Sequence, residues 1–383
     1  MDSCDVVIVG GGPAGASCAW GLRDSGLDVL LVDRAAFPRN KLCAGWITPL
    51  ILDELEFTPQ DYPPSLTMQP ITGFRLGEIG GPQVEVCGEK VVSYGIRRCE
   101  FDEFLLRRSG ARLREGMGLT SIERKHGGWL INGDIRARML VGAGGHFCPV
   151  GRYLGNKGSP APVLAQEVEF EMDAAQAASS LVDGELPELF FCRDLLGYGW
   201  VFRKGNYLNV GLGRTDSREI SRHMKEFVSY LDERRGVKTP AGGIAGHAYG
   251  LFGRTPRKIL DDGVLLVGDA AGLAYPESGE GIRPAIESGL MAAHTILSAE
   301  GNYSAQNLAL YRELLNSRLR RERGRFEALT QLLPHVLKEF AGRRLLRSRR
   351  FCKNVVVNQW FLRVAERRLD LGPQPVLPRV TAG

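Results

Sequence analysis

The chain has 383 residues, 44% hydrophobic and 24% charged, with a formal net charge of +5. That composition is ordinary for a soluble globular protein, and the charge is too small to argue for a nucleic-acid partner. The length predicts two interwoven or consecutive domains rather than one core. Eight cysteines and six histidines are scattered without a CxxC pair, an HExxH or a Cys/His cluster. A disulfide framework is therefore not expected, nor is a metal, and reduced thiols in a cytoplasmic setting are. No basic segment precedes the first apolar run, and Val6–Leu22 is interrupted by four glycines within Gly10–Gly15 and by Pro13. Neither a signal peptide nor a transmembrane helix is expected from it.

Asp5–Gly10 reads as a buried parallel strand, Pro13–Ser25 as a helix and Leu27–Asp33 as a second strand. This is a βαβ unit. Its turn carries Gly10, Gly12 and Gly15 in GxGxxG spacing, with Pro13 and Ala14 opening the helix. Gly10 allows the tight turn, Gly12 lets a pyrophosphate approach the backbone, and Gly15 lets helix and strand pack closely. Free N–H groups at the helix start favour the negative charge. Asp33, followed by Arg34, ends the second strand where a carboxylate can accept from ribose hydroxyls. The unit predicts a dinucleotide, and at this point NAD and FAD both remain open.

Ala35–Pro49 reads as irregular and Pro59–Pro70 as a surface connection. Short strands are expected at Ile71–Leu76 and Gln83–Cys87, a helix at Cys99–Arg108, and strands at Gly118–Arg124, Gly128–Ile131 and Ile135–Val141. Val163–Glu171, Glu188–Cys192, Gly199–Arg203 and Tyr207–Gly213 suggest an antiparallel sheet, and Asp216–Arg235 a helix. Val264–Val267 returns to a parallel-type strand, Ile282–Ala299 is helical, and everything after Ser304 reads as helical and Arg-rich.

The stretch VLLVGDAAGLAYPESGEGIRPAIESG, Val264–Gly289, decides between the dinucleotides. A strand ends at Gly268, and Asp269 follows directly. Gly279, Gly281 and Ile282 then form a glycine-rich approach to a helix N-terminus. Its N–H groups can face a ring edge where negative charge collects on reduction. An NAD enzyme has no need of this second element; FAD does.

Four segments carry a resemblance to the para-hydroxybenzoate hydroxylase-type FAD superfamily, and within it to the geranylgeranyl reductase group. They are the GxGxxG turn with Asp33, PRNKLCAGWITP (Pro38–Pro49), RCEFD (Arg98–Asp102) and GYGWVFRKG (Gly197–Gly205). The second resembles the group's Lys-x-Cys-Gly-Gly segment and the fourth its Tyr-x-Trp-x-Phe-Pro-Lys-Gly signature. Two departures stand out: GAGG at Gly142–Gly145 lacks the superfamily's Asp, and Arg203 stands where the signature has Pro.

The resemblance implies α/β and α+β architecture: a Rossmann-like FAD-binding domain interrupted by an antiparallel-sheet substrate domain, with a helical C-terminal region. The expected boundaries are 1–70, 96–160 and 255–303 for the first, 71–95 and 161–254 for the second, and 304–383 for the third. It implies that Asp269 bonds the ribityl chain, that Arg98 contacts FAD, and that Cys43 lies near the flavin as proton donor. Lys41 either places positive charge at that site or is a solvated lysine. Tyr198, Trp200 and Phe202 alternate on one strand and so share a face, as an aromatic wall over the flavin or as ordinary sheet core. His146 and His247 read as structural. The Arg-rich stretch Arg318–Arg368 reads as a solvated outer face, with a membrane-surface face as the alternative.

The expected activity is reduction of carbon–carbon double bonds in an apolar, isoprenoid-like substrate by hydride from flavin N5. Electrons would come from transiently bound NAD(P)H or a ferredoxin-like partner. A monooxygenase working through a C4a-hydroperoxide and a flavin electron-relay protein are the alternatives. A halogenase is disfavoured, because Tyr198 stands where the halogenase Trp-x-Trp-x-Ile-Pro signature needs its first Trp.

Overall fold

The computed structural model describes residues 1–125, 127–156, 162–216, 219–240, 242–254, 256–320 and 335–372. Its strands form three sheets. The first contains β1 (Asp2–Val9), β2 (Val29–Val32), β8 (Arg112–Arg114), β9 (Ile122–Lys125), β10 (Gly128–Ile131), β11 (Ile135–Gly142), β17 (Leu260–Asp261) and β18 (Val264–Leu266). Its order is β17-β18-β11-β1-β2-β8, with β10 and β9 added beside β11. β1 is parallel to both β2 and β11, and β11 to β18. Val6, Val7 and Ile8 are fully buried. An uninterrupted apolar run is what a parallel strand covered on both faces requires.

The second sheet contains β5 (Gly73–Glu78), β6 (Gln83–Cys87), β12 (Val163–Glu171), β13 (Glu188–Phe191), β14 (Gly197–Lys204), β15 (Tyr207–Arg214) and β16 (Ala245–Tyr249). It runs β16-β12-β15-β14-β13-β5-β6 and is antiparallel except where β13 meets β5. The third is small: β3 (Trp46–Ile47), β7 (Ser93–Ile96) and β4 (Met68–Ile71), in that order.

The helices are α1 (Pro13–Leu22), α2 (Pro49–Glu54), α3 (Arg98–Arg108), α4 (Pro149–Tyr153), α5 (Ala174–Ser179), α6 (Ile220–Arg235), α7 (Ile282–Ser298), α8 (Ala309–Leu319) and α9 (His335–Leu345). Arg349–Phe351 then runs into a π-helix, Cys352–Phe361. α1 and α7 approach closely because glycine faces backbone: a Cβ on Gly289 would strike the Ala14 carbonyl and the Cys18 amide. α6 covers one face of the second sheet with Met224, Phe227 and Leu231. The other face packs Trp200 and Phe202 against Val356, Val357 and Phe361. The C-terminal π-helix thus packs on the same face of β14 as its aromatic side chains.

Several expectations are corrected. Only Ile122–Lys125 of the expected Gly118–Arg124 strand is extended in a ladder, and α6 begins at Ile220. Pro59–Pro70 is not only a surface connection, since Tyr62 is buried and Met68 begins β4. Helix does not continue through the described residues to Gly372. Arg363 adopts a left-handed φ of 49°, and Leu369 N–H returns to donate to Glu54 Oε1 at 2.7 Å. Residues 321–334 of the Arg-rich stretch, and 373–383, lie outside the described residues. No helix among the described residues is long and apolar enough to cross a membrane.

Candidate active site

A cavity of about 750 Å³ lies where the first sheet, the Lys41–Ala44 loop, β14, β16 and the start of α7 converge. Gly10, Gly12, Pro13, Ala14, Asp33, Arg34, Lys41, Cys43, Arg98, Tyr198, Trp200, Asp269, Gly279, Gly281 and Ile282 all line it. Residues of the glycine turn, the Cys43 loop, Arg98, the aromatic strand and the Asp269 segment therefore meet in one place. Gly15 and Gly268 are not among the lining residues. A Cβ on Gly15 would overlap the Gly10 carbonyl, and one on Gly268 would come within 2.9 Å of Ala14 Cβ. Both glycines allow close packing behind the wall rather than forming it.

The glycine turn is built from backbone. Gly10 takes φ +117°, and a Cβ there would strike the Ala143 carbonyl. Gly12 caps α1 in an extended conformation, and no side chain bonds to the helix start. The turn thus offers N–H groups and a positive helix end. Asp33 has a second duty that sequence did not reveal. Its Oδ2 accepts from Gly11 N–H at 2.7 Å and its Oδ1 from Ala35 N–H at 2.8 Å. The carboxylate is oriented by the loop that carries the glycines.

At the middle of the cavity, Lys41 Nζ lies 2.9 Å from His247 Nε2, which in turn lies 3.6 Å from Asp269 Oδ2. Burial alone would raise the Asp269 carboxyl, but neighbouring His247 and the charge of Lys41 hold it down to about 2. Burial lowers the pKa of Lys41, against the pull of Asp269, and lowers that of His247. Lys41 is therefore not a solvated lysine. His247 and His146, read as structural, both stand on the cavity wall. Nothing local in sequence could pair Lys41 with a histidine 206 residues away. Arg98 is buried and bound by Asp102 through two hydrogen bonds of 2.7 and 2.9 Å, and Arg39 Nη1 approaches the same carboxylate at 3.1 Å.

The Cys43 loop is held from the second sheet. Cys43 N–H donates to Glu167 Oε1, and its carbonyl accepts from Asn209 Nδ2 at 3.2 Å. Asn209 Oδ1 accepts from Trp200 Nε1 at 2.7 Å. Fully buried Lys204 donates to Glu169 Oε2 at 2.7 Å, and Asn209 Nδ2 lies 3.3 Å from the same oxygen. The Trp and Lys of the GYGWVFRKG segment therefore anchor the loop that bears the cysteine. Burial raises the Glu167 carboxyl to about 7, against the opposing charge of Lys204. Tyr198 and Trp200 face the cavity, with ring centroids 6.0 Å apart, and Phe361 packs on Tyr198 at 5.5 Å. Phe202 shares that face but lies in the core behind it. Tyr198 OH donates to the Ser278 carbonyl, which ties the aromatic wall to the approach to α7. Glu167, Lys204, Asn209, His247 and Glu280 are the residues that sequence reasoning missed.

Comparison with known proteins gives the family and the fold. The profile of the FAD dependent oxidoreductase family matches residues 5–78. A digeranylgeranylglycerophospholipid reductase of Methanothrix thermoacetophila is 31% identical over 339 residues, covering 80% of this chain and 82% of that protein. The chain belongs to the geranylgeranyl reductase group of FAD-dependent oxidoreductases. A menaquinone reductase of Mycobacterium tuberculosis is 29% identical over 322 residues, 78% of each chain. A geranylgeranyl bacteriochlorophyll reductase-like protein of Thermoplasma acidophilum has the same fold, with a TM-score of 0.78 and 23% identity over 97% of this chain and 100% of that one. The reductase's cavity fits FAD on its own evidence. It has a Cβ-free turn at a helix start, an oriented carboxylate at Asp33, a low-pKa carboxylate at Asp269 and a glycine-lined approach to α7. Among the described residues no group of His, Cys, Asp and Glu is placed to hold a metal.

Proposed function

We propose that this reductase saturates carbon–carbon double bonds of an isoprenoid chain. The observation that carries the reading is the joining, in one cavity, of the dinucleotide turn, the Cys43 loop and the Tyr198–Trp200 wall. The aromatic rings offer an apolar surface for a prenyl chain. FAD, when bound, supplies the hydride equivalent. Gly10, Gly12, Asp33, Arg98 and Asp269 are the residues that would hold it. Its electrons arrive from transiently bound NAD(P)H or a ferredoxin-like partner.

The chain's own residues do the rest. Cys43 holds a proton on Sγ for the substrate carbon that does not receive hydride. Glu167 and Asn209 fix the backbone of that cysteine, and the Gly45 N–H lies 3.4 Å from Sγ. Tyr198 and Trp200 orient the alkene and exclude water from it. Exposed Leu337 and Phe340, followed by Arg343, Arg344 and Arg347, support contact with an anionic membrane surface from which such a substrate would be drawn.

The test is to reduce the purified holoprotein anaerobically, add a prenyl lipid and weigh the product. A gain of two hydrogens is expected. Oxygen incorporation in air would replace the reading with a hydroxylase, and no altered lipid from any panel would leave an electron relay. Cys43→Ser is expected to cut turnover with FAD still bound; unchanged turnover would remove Cys43 as the proton donor.

A further inference from the structure

The backbone at the start of α7 is not free. Arg283 N–H donates to Glu280 Oε1 at 2.8 Å, so a carboxyl group already occupies one of the donors expected to face the cofactor. Glu280 lines the main cavity between Gly279 and Gly281. On its other side it borders a separate void of about 10 Å³, lined also by Thr48, Tyr275 and Arg283. That volume is about one water molecule. Thr48 Oγ1 and Tyr275 OH are buried there and have no hydrogen-bond partner among the described residues. A carboxyl standing between a cofactor cavity and a water-sized polar void can exchange a proton with a water held there.

We infer that Glu280 takes up a proton when the cofactor in this cavity is reduced, so that reduction adds no net charge to the site. The inference rests on FAD occupying the cavity and not on the identity of the organic substrate. The charged and titratable groups facing Glu280 favour such uptake. Among the described residues Arg283 is the one cation close to it, and that guanidinium is already shared by Glu287, with Nε 2.9 Å from Oε1, and Glu366, with Nη2 2.7 Å from Oε2. Tyr198 on β14, Tyr275 and Glu287 face it, Tyr249 and Asp269 stand against the neighbouring Gly279 and Gly281, and Arg363, 3.9 Å over the Tyr275 ring, is itself paired with Glu277 and Glu366. Burial accordingly raises the carboxyl to about 7, against the Arg283 amide and guanidinium. A negative charge appearing on the cofactor would raise it further.

The step balances. An external two-electron donor reduces the isoalloxazine. One proton stays with the ring, and a second, from solvent, forms an O–H bond on Glu280. Two electrons and two protons enter together. On reoxidation the carboxyl releases its proton.

The experiment is a reductive titration of the holoprotein with dithionite, without organic substrate, while proton uptake and midpoint potential are followed across about pH 8 to 9, where Glu280 is still ionised before reduction. The wild type is expected to take up two protons per two electrons, and Glu280→Gln one, with a pH dependence of potential half as steep. Equal uptake in the two proteins would overturn the inference. If Glu280→Gln does not retain FAD, Glu280→Asp decides, since it keeps a carboxyl and must keep the second proton. Reduced-minus-oxidised infrared spectra of the wild type provide a direct readout. A protonated carboxyl C=O band must appear on reduction, and its absence would overturn the inference without any variant. Failure of the isoprenoid reading would leave all three readouts unchanged, because none uses a lipid.

Discussion

The two walls of the cavity are built by different means. The nucleotide wall is backbone, with Gly10 and Gly12 removing Cβ atoms so that N–H groups can reach a ligand. The opposite wall is a buried side-chain network in which Lys204, Glu169, Asn209, Trp200 and Glu167 converge on the Cys43 loop. A backbone site depends on empty space, so damage to it is felt first by the ligand. A buried charged network depends on every partner being present, so damage to it is felt by the fold.

That contrast is broken most severely at Lys204. Lys204→Met leaves Glu169 without its closest cation, Arg97 being 3.4 Å away and already paired with Glu100 at 2.7 Å. Removing one member of a buried pair costs about 3–5 kcal/mol. The midpoint of denaturant unfolding should fall accordingly at unchanged slope. A loss below about 1 kcal/mol would mean that the second wall is not held by its charges.

The walls should also respond to pH with opposite sign. Asp269 is held at about 2 against an unfolded value of 3.8. Its contribution is present above about pH 4 and is lost as pH falls toward 2, amounting to about 2 kcal/mol. Glu167 is held at about 7 against 4.5. Its contribution is fullest below about pH 4.5 and is lost as pH rises through 7, amounting to about 3 kcal/mol. Melting temperatures of the apoprotein from acid to neutral pH test both. Asp269→Asn should flatten the acid limb, and Glu167→Gln the limb between about pH 4.5 and 7. An unaltered neutral limb in Glu167→Gln would show that this carboxyl is charged in the folded protein.

The same contrast explains what could be read from the chain. The glycine turn is legible because its parts lie within 24 residues, Gly10 to Asp33, and each obeys a local rule of turn, helix start or strand end. Asp269 is legible for the same reason, standing directly after a buried strand. The second wall is not, because Glu167, Asn209 and Lys204 are brought together only by strand pairing, β12 beside β15 and β15 beside β14, and the Cys43 loop then docks on them. Trp200 and Lys204 were visible as letters of a signature, but their duty of holding Asn209 and Glu169 depends on that register. His247 was discounted for want of a neighbour, and its neighbours come from residues 41 and 269.

A milder pair of substitutions separates the walls at the level of activity. Gly10→Ala forces a side chain into φ +117° and against Ala143, and should weaken FAD binding by on the order of 100-fold. Turnover per bound FAD should change little. Asn209→Ala should do the reverse, since it strips partners from Trp200 Nε1 and the Cys43 carbonyl at about 1–2 kcal/mol. Turnover should fall about tenfold, the equivalent of that energy, with FAD affinity by fluorescence unchanged. If Asn209→Ala loses FAD as readily as turnover, the two walls are not independent.

The smallest effect is expected outside both walls, on α9. Leu337 and Phe340 are 52% and 71% exposed, and Arg344 and Arg347 follow them on the surface. If this face meets an anionic bilayer, each arginine near the surface contributes about 1 kcal/mol and the inserted ring about 1.5 kcal/mol or more. Phe340→Ser with Arg344→Gln should therefore weaken sedimentation with phosphatidylserine vesicles about tenfold or more. Binding to neutral vesicles should be weak in both proteins, and added salt should reduce the difference. Neither substitution touches the cavity, so FAD content and turnover of a detergent-dispersed prenyl substrate should not change, while turnover of the vesicle-borne substrate should. Equal vesicle binding by variant and wild type would return this helix to what its sequence alone favours, a solvated outer face.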